Sequence, residues 1–528
     1  MVSQKIKLLI LCLIVVTDAA FSQEVLSIDY TAQTRPISAF WAYFGYDETN
    51  YTYMRDGRKL LSELAALSPV PVYVRCHNLL TTGDGAAALK WGSTNAYTED
   101  AQKGPVYSWR IIDSIFDTYV SRGMKPLAEI GFMPEALSVH PEPYRHHWRP
   151  GVPYDSIYTG WAWPPNDYSK WSALVTAWVR HCVQRYGEKE VSSWLWEVWN
   201  EPNISYWKGT EQEYFRLYDS TAVAVKKALP AARVGGPATT GPGWSTAARW
   251  LRDFLTHCAE NKVPLDFISY HAKGNPKLVD GHVRMNMTPQ LNDVTQGFSI
   301  IKASSFSNLP IYITECDPEG CAACGMTTNP ENAYRNGTMY SSYTAASFAR
   351  IATLADSFNV DLAGAISWSF EFEGQHWFDG FRDLATNGVD KPVLNVFRMF
   401  GMMRGNRIPG TNTYAAADSH SVSIMTWNYA DDDTPGPAAE NRILIKHLPA
   451  GKVKLTEYRI DADHSNAYET WKKMGSPQSP TITQYQLLEA AGKLQEMDPP
   501  QDLPVKNGTL TISTHLPRQA VSFLRLEF

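Results

Sequence analysis

The chain has no dense run of basic residues. Its 528 residues carry 48 Lys and Arg against 54 Asp and Glu, a net charge of -6. That argues against nucleic acid or an anionic membrane surface as the main partner. No apolar run is long enough to span a bilayer permanently. The N-terminal run from Leu8 to Val16 follows Lys5 and Lys7 and precedes Ala20-Phe21-Ser22, the pattern of a cleavable leader over residues 1–22. A secreted or periplasmic mature protein is expected. Cysteine is scarce, seven in all, with Cys12 inside the leader. Cys76, Cys182 and Cys258 fall in apolar patterns and read as buried thiols. Cys316, Cys321 and Cys324 cluster with too few ligands for a zinc site, so a local disulfide is expected there. Gly235-Gly236-Pro237 is a strand-end turn and not a phosphate loop. His146-His147 sits in a Pro-rich loop, and adjacent side chains diverge, so it makes a poor metal pair. No metal and no cofactor are expected, and the oligomeric state is not legible.

What is present is alternation. From Val70 to Phe400 short β-rich runs trade places with helical patterns. The strand candidates are Val70–Cys76, Pro126–Ile130, Ser193–Asn200, Arg233–Val234, Phe267–His271, Ile311–Glu315 and Ala363–Ser369, with an earlier one at Ser38–Gly45. Between them, Ser108 stands where it can cap a helix with Ile111, Ile112, Ile115 and Phe116 on one face. Thr210 and Glu213 form a capping box ahead of another. Eight such units point to an α/β fold, a (β/α)₈ TIM barrel over residues 23–410. After Gly410 the apolar/polar alternation of Val422–Trp427, Ile443–His447, Lys452–Arg459, Thr509–Ser513 and Ala520–Leu526 predicts an antiparallel β-sandwich over 411–528. Residues 24–30 can add a strand to it, and one helical insert is expected at Thr483–Met497.

Barrels of this kind do chemistry at the C-terminal ends of their strands. Polar residues collect there: Arg75 and His77 after strand two, Glu129 in strand three, Asn200 and Glu201 after strand four. His271 and Lys273 follow strand six, Glu315 ends strand seven, and Glu371 and Glu373 follow strand eight. Two carboxylates on strands four and seven are what cleavage of a glycosidic bond with retention requires, one as acid and one as nucleophile. Asn200 is placed to hold a sugar 2-hydroxyl, His77 to donate to a ring hydroxyl, and His271 to orient Glu315. Arg75 would keep Glu315 ionised. Glu371 and Glu373 alternate with Phe370 and Phe372 as if both faced a pocket, with Arg382 as an ion-pair partner for one of them. Aromatic residues make up 12% of the chain, with 18 Trp. Trp148, Trp161, Trp163, Trp207 and Trp377 lie in loop-like surroundings as possible sugar-stacking platforms.

From about Arg35 onward the chain resembles glycoside hydrolase family 39, the β-xylosidases and α-L-iduronidases. The resemblance is carried by Arg75-Cys-His77-Asn, Trp196-Glu-Val-Trp-Asn200-Glu201-Pro202, Val234-Gly-Gly-Pro237-Ala-Thr, Asp266-Phe-Ile-Ser-Tyr-His271, Ile313-Thr-Glu315 and Lys391-Pro-Val-Leu-Asn-Val-Phe397. It implies Glu201 as acid/base, Glu315 as nucleophile, and a sandwich packed on the barrel. His271-Ala-Lys273-Gly274 resembles the iduronidase branch, where a Lys here contacts the substrate carboxylate. The Arg used by that branch after strand eight has no clear match: Gly380 stands in its place and Arg382 is displaced. Gln375–Arg382 looks more like bacterial β-xylosidases. The expectation is a retaining exo-glycosidase with a carbohydrate substrate, first a β-D-xylosidase. The alternatives are an α-L-iduronidase-like enzyme and a non-catalytic glycan-binding barrel.

Overall fold

The computed structural model of the chain describes residues 24–145, 148, 149, 152 and 160–528. The expected leader and His146-His147 lie outside the described residues. Eight parallel strands close into a barrel in chain order: β1 (Tyr43–Tyr46), β2 (Tyr73–Cys76), β3 (Lys125–Ile130), β4 (Leu195–Val198), β5 (Arg233–Thr239), β6 (Phe267–Lys273), β7 (Ile311–Asp317) and β8 (Leu362–Ser367). Most strand residues are buried, as expected for a parallel sheet covered by helices. The helices bury one stripe each. Arg110–Val120 buries Ile111, Ile112, Ile115, Phe116 and Tyr119. Its N-cap is Trp109 and not Ser108, with no side-chain cap. Glu211–Ala228 begins with the expected capping box, Thr210 bonded reciprocally with Glu213. Among the described residues no helix is long and apolar enough to cross a membrane.

A β-sandwich follows the barrel. Glu24–Asp29 pairs with Ala439–Lys446, which pairs with Leu510–Leu516. The facing sheet runs Asn406–Ile408, Thr413–Ala417, Ser421–Trp427, Val521–Glu527, Lys452–Ile460, Gln495–Glu496. The first of these strands precedes Thr411, so the second sheet starts a few residues ahead of the boundary expected from composition. Leu26, Ile28, Ile424, Ile443, Ile445 and Leu524 fill the space between the sheets. Tyr414, Met425, Trp427 and Phe523 instead join the barrel's own core, so the sandwich is packed on the barrel and does not hang from a linker. The insert expected at Thr483–Met497 is the helix Ile482–Gly492, which stops short because Gln495–Glu496 joins the sheet, and a second helix not expected from the sequence, Ala467–Lys473, precedes it. Cys321 and Cys324 form the disulfide, while Cys316 is a buried thiol.

Candidate active site

The C-terminal ends of the strands open into a cavity of about 530 Å³ lined by Asn200, Glu201, Lys273 and Glu315. One oxygen of Glu201, one oxygen of Glu315 and a ring nitrogen of His271 lie within 4.8 Å of one another. The loop that presents Glu201 is strained: Trp199 and Glu201 sit at φ 70° and 43°, where bulky side chains are disfavoured. Tertiary contacts hold it there. The Trp199 indole N–H donates to the Tyr206 carbonyl at 2.9 Å, and the Glu201 N–H donates to the Ala238 carbonyl at 2.9 Å.

Beneath the cavity lies a buried charge network. Arg75 Nε donates to Glu197 at 2.5 Å, Nη2 meets Glu129 at 3.0 Å, and Nη1 meets Glu315 at 3.2 Å. Arg75 Nη2 also donates to Asn200 Oδ1 at 3.0 Å, which leaves the Asn200 NH₂ as the donor for a sugar hydroxyl. Lys273 Nζ bonds the other Glu315 oxygen at 2.6 Å and Asp317 at 2.8 Å. Burial on its own would raise the Glu315 carboxyl. The charges of His271, Lys273, Arg75 and His77 outweigh it and hold Glu315 well below the usual carboxylate range. Glu315 is therefore ionised, the state a nucleophile needs.

Several sequence expectations change here. His271 bonds Glu201, not Glu315: Nδ1 is 2.8 Å from Glu201 Oε1 and 3.8 Å from Glu315 Oε2, whose bonding positions Arg75 and Lys273 occupy. His77 is a relay in the wall, with Nδ1 at 2.7 Å from Asp47 and Nε2 at 2.9 Å from Glu129. Both ring nitrogens are engaged by protein, so it is not placed as a hydroxyl donor. Arg75 is fully buried beneath the cavity and acts on the sugar only through Glu315 and Asn200. Glu371 accepts from the Gly388 N–H and Glu373 from the Asp56 N–H, both away from the cavity. Arg382 pairs with Asp317 and Glu319 rather than with either of them. Trp377 packs with Phe378 and Trp471 under the two-helix insert. Trp161 and Trp207 are likewise buried, against Phe132 and Trp199.

A family profile for glycosyl hydrolases family 39 matches residues 24–505. The chain belongs to glycosyl hydrolase family 39. This glycosidase is 28% identical to a β-xylosidase of Geobacillus stearothermophilus over 470 residues, 86% of each chain. It is 24% identical to the α-L-iduronidase of Homo sapiens over 375 residues, 61% of this chain and 55% of that one. A monomeric β-xylosidase structure from Caulobacter crescentus CB15 superposes with a TM-score of 0.76 at 25% identity, covering 96% of this chain and 99% of that one.

Sequence reasoning missed other residues of this cavity. Asp47, Lys90 and Trp368 line it. Lys90 Nζ is ion-paired with Asp47, itself bonded to His77. Trp368 lies across the floor, 4.8 Å from the Arg75 guanidinium and 4.4 Å from the His77 ring. Gly45 makes room for it: a Cβ there would meet the Trp368 ring at 2.3 Å. A glycine inside a strand pattern signals such close approach, and it was the available clue.

The relay carries a pH signature. Burial would lower the His77 pKa, but Glu129 and Asp47 raise it to about 9. A group raised on folding stabilises fully below its unfolded pKa, about 6.5, and loses that stabilisation as pH rises through its folded value. Unfolding free energy is expected to fall by roughly 3 kcal/mol between pH 6.5 and about 9 through this group. Denaturant titrations across this range test it, with a shallower fall expected for His77→Gln. An equal fall in the variant would refute the assignment.

Proposed function

We propose that the protein is a retaining exo-β-D-xylosidase acting on xylose-containing oligo- or polysaccharides. The carboxylate spacing carries the mechanism. Oxygens within 4.8 Å suit direct attack on the anomeric carbon and leave too little room for the water that inversion places between the two groups. Glu201 protonates the departing oxygen while Glu315 attacks, giving a glycosyl ester on Glu315. Glu201 then takes a proton from water as that water displaces the ester, returning the sugar with its original configuration. Asn200 holds the 2-hydroxyl through the charge change.

Lys273 favours a neutral glycone. In a uronate-binding site this ammonium would face a substrate carboxylate, yet here Glu315 and Asp317 both claim it. Arg382 is turned into Asp317 and Glu319. The similarity to β-xylosidases supports the same reading, and the Cys321–Cys324 disulfide supports an oxidising, exported setting. Nitrophenyl β-D-xyloside, α-L-arabinopyranoside and α-L-iduronide, compared by kcat/KM, test the choice. The β-D-xyloside is expected to lead. A strong preference for the iduronide would overturn the glycone assignment, and no turnover of any of them would favour a glycan-binding barrel.

A further inference from the structure

Trp244 is unlike the chain's other described cavity tryptophan. It is 51% exposed, the one aromatic among the large hydrophobic residues found exposed in the described chain, whereas Trp368 on the floor is 2% exposed. It lines the same cavity as the two carboxylates. A single exposed hydrophobic residue on a surface needs no explanation. This one lines the cavity from a turn whose backbone is held by hydrogen bonds.

The loop that carries it is tied from both sides. The Trp244 N–H closes a turn onto the Gly241 carbonyl at 3.1 Å. Asp293, on the helix Thr288–Lys302 that comes after strand six, accepts from the Gly243 N–H at 2.9 Å and from the Lys273 N–H at 3.1 Å. It thereby links the Trp244 turn to the strand end beside Glu315. Thr240 and Asn203 exchange two hydrogen bonds, Asn203 Nδ2 to Thr240 Oγ1 at 2.6 Å and the Thr240 N–H to Asn203 Oδ1 at 2.9 Å. Asn203 is two residues from Glu201. The turn bearing Trp244 is thus fastened to the loop bearing the proposed acid.

The leaving group must sit beside the residue that protonates it. Thr240, Gly241 and Trp244 lie on the strand-five loop that is fastened to the Glu201 loop, whereas Asp47, His77 and Lys90 come from strands one and two and the loop after strand two. We propose that Trp244 is the stacking platform of the leaving-group subsite, receiving the C–H face of the sugar released on cleavage. The proposal rests on the exo-glycosidase reading and adds a second sugar position to it. A flat indole on a tied-down turn suits this task because it supplies a large apolar area with only two side-chain torsions to fix, while Asn329 and Glu331 supply polar groups in the same cavity for hydroxyls.

The test separates a substrate with a sugar leaving group from one without. Xylobiose and β-D-xylosyl fluoride share the glycone, but fluoride has nothing to stack. In Trp244→Ala, kcat/KM for xylobiose is expected to fall by roughly five- to tenfold more than for the fluoride. Trp244→Phe should recover most of the difference. Equal losses on both substrates would make Trp244 merely structural, and no loss on either would make it plain surface; both outcomes overturn the proposal. If the wild type turns over neither compound, the xyloside reading fails by itself. The same disaccharide-against-fluoride comparison is then run with the glycone selected by the aryl panel, and it decides Trp244 independently.

Discussion

Glu315→Ala is expected to lose about 10⁴-fold or more in kcat, the scale seen when a covalent nucleophile is removed. The protein should still fold. Lys273 keeps Asp317 at 2.8 Å, and Arg75 keeps Glu197 and Glu129. Glu201→Ala should lose roughly 10²–10⁴-fold, the usual range for a general acid, and less with an activated aryl leaving group that departs without a proton. Azide assigns the two roles. In Glu315→Ala it enters the vacated space and attacks the anomeric carbon once, so the glycosyl azide is inverted. In Glu201→Ala the ester on Glu315 still forms, and azide displaces it without needing a base, so the azide retains configuration. The anomeric form of the product is read by NMR. Interchanged anomers would reverse the roles, and two variants with near wild-type turnover would remove the pair from the mechanism.

The barrel was readable because parallel strands buried on both faces stay apolar until they end, so polar residues at the ends stand out. That logic located Glu201, Glu315 and Asn200. It failed after strand eight. The strand stops at Ser367, and beyond it the chain leaves the barrel sheet and makes only an isolated bridge, Phe370 with Asp383. The alternation of Phe370, Glu371, Phe372 and Glu373 therefore did not sort residues into pocket and wall. Glu371 accepts from the Gly388 N–H in a hairpin turn, and Glu373 from the Asp56 N–H at the start of the helix Arg55–Ala65. Asp47 and Lys90 escaped notice for a different reason: 43 positions apart in sequence, they meet only when the loops after strands one and two fold over the same cavity. His271 lies between the two carboxylates, but its ring bonds Glu201 rather than the expected Glu315. The bulge between Ile313 and Glu315 sets Glu315 beside His271 in register, yet the ring reaches across to Glu201. Which carboxylate a histidine meets across a barrel mouth depends on loop height, which strand order does not encode. Loop-like sequence around Trp161, Trp207 and Trp377 also misled, because these loops fold inward and bury their indoles, while Trp244 stays out.

Arg75→Met should be among the most damaging single changes away from the reacting atoms. One guanidinium faces Glu129, Glu197 and Glu315, with the first two side chains fully buried. Removing one partner of a buried pair typically costs about 3–5 kcal/mol, because the remaining charge has no water to return to. Here two buried carboxylates lose their main cation together, so the loss should fall at or above that range. Denaturant unfolding measures it, and the double variant Arg75→Met/Glu197→Gln should recover part of the loss by removing one stranded charge. Arg75→Lys should lie between, since a point charge cannot reproduce the fork that reaches Glu197, Asn200 and Glu315 at once. The same variants report on catalysis separately from stability. Arg75 is one of the charges that hold the Glu315 carboxyl down, so its loss raises that pKa, and the acidic limb of kcat/KM should move to higher pH. A merely structural arginine would lower stability and leave that limb where it was. If Arg75→Met proves as stable as the wild type and the limb does not move, then the network beneath the cavity neither holds the barrel together nor keeps Glu315 ionised.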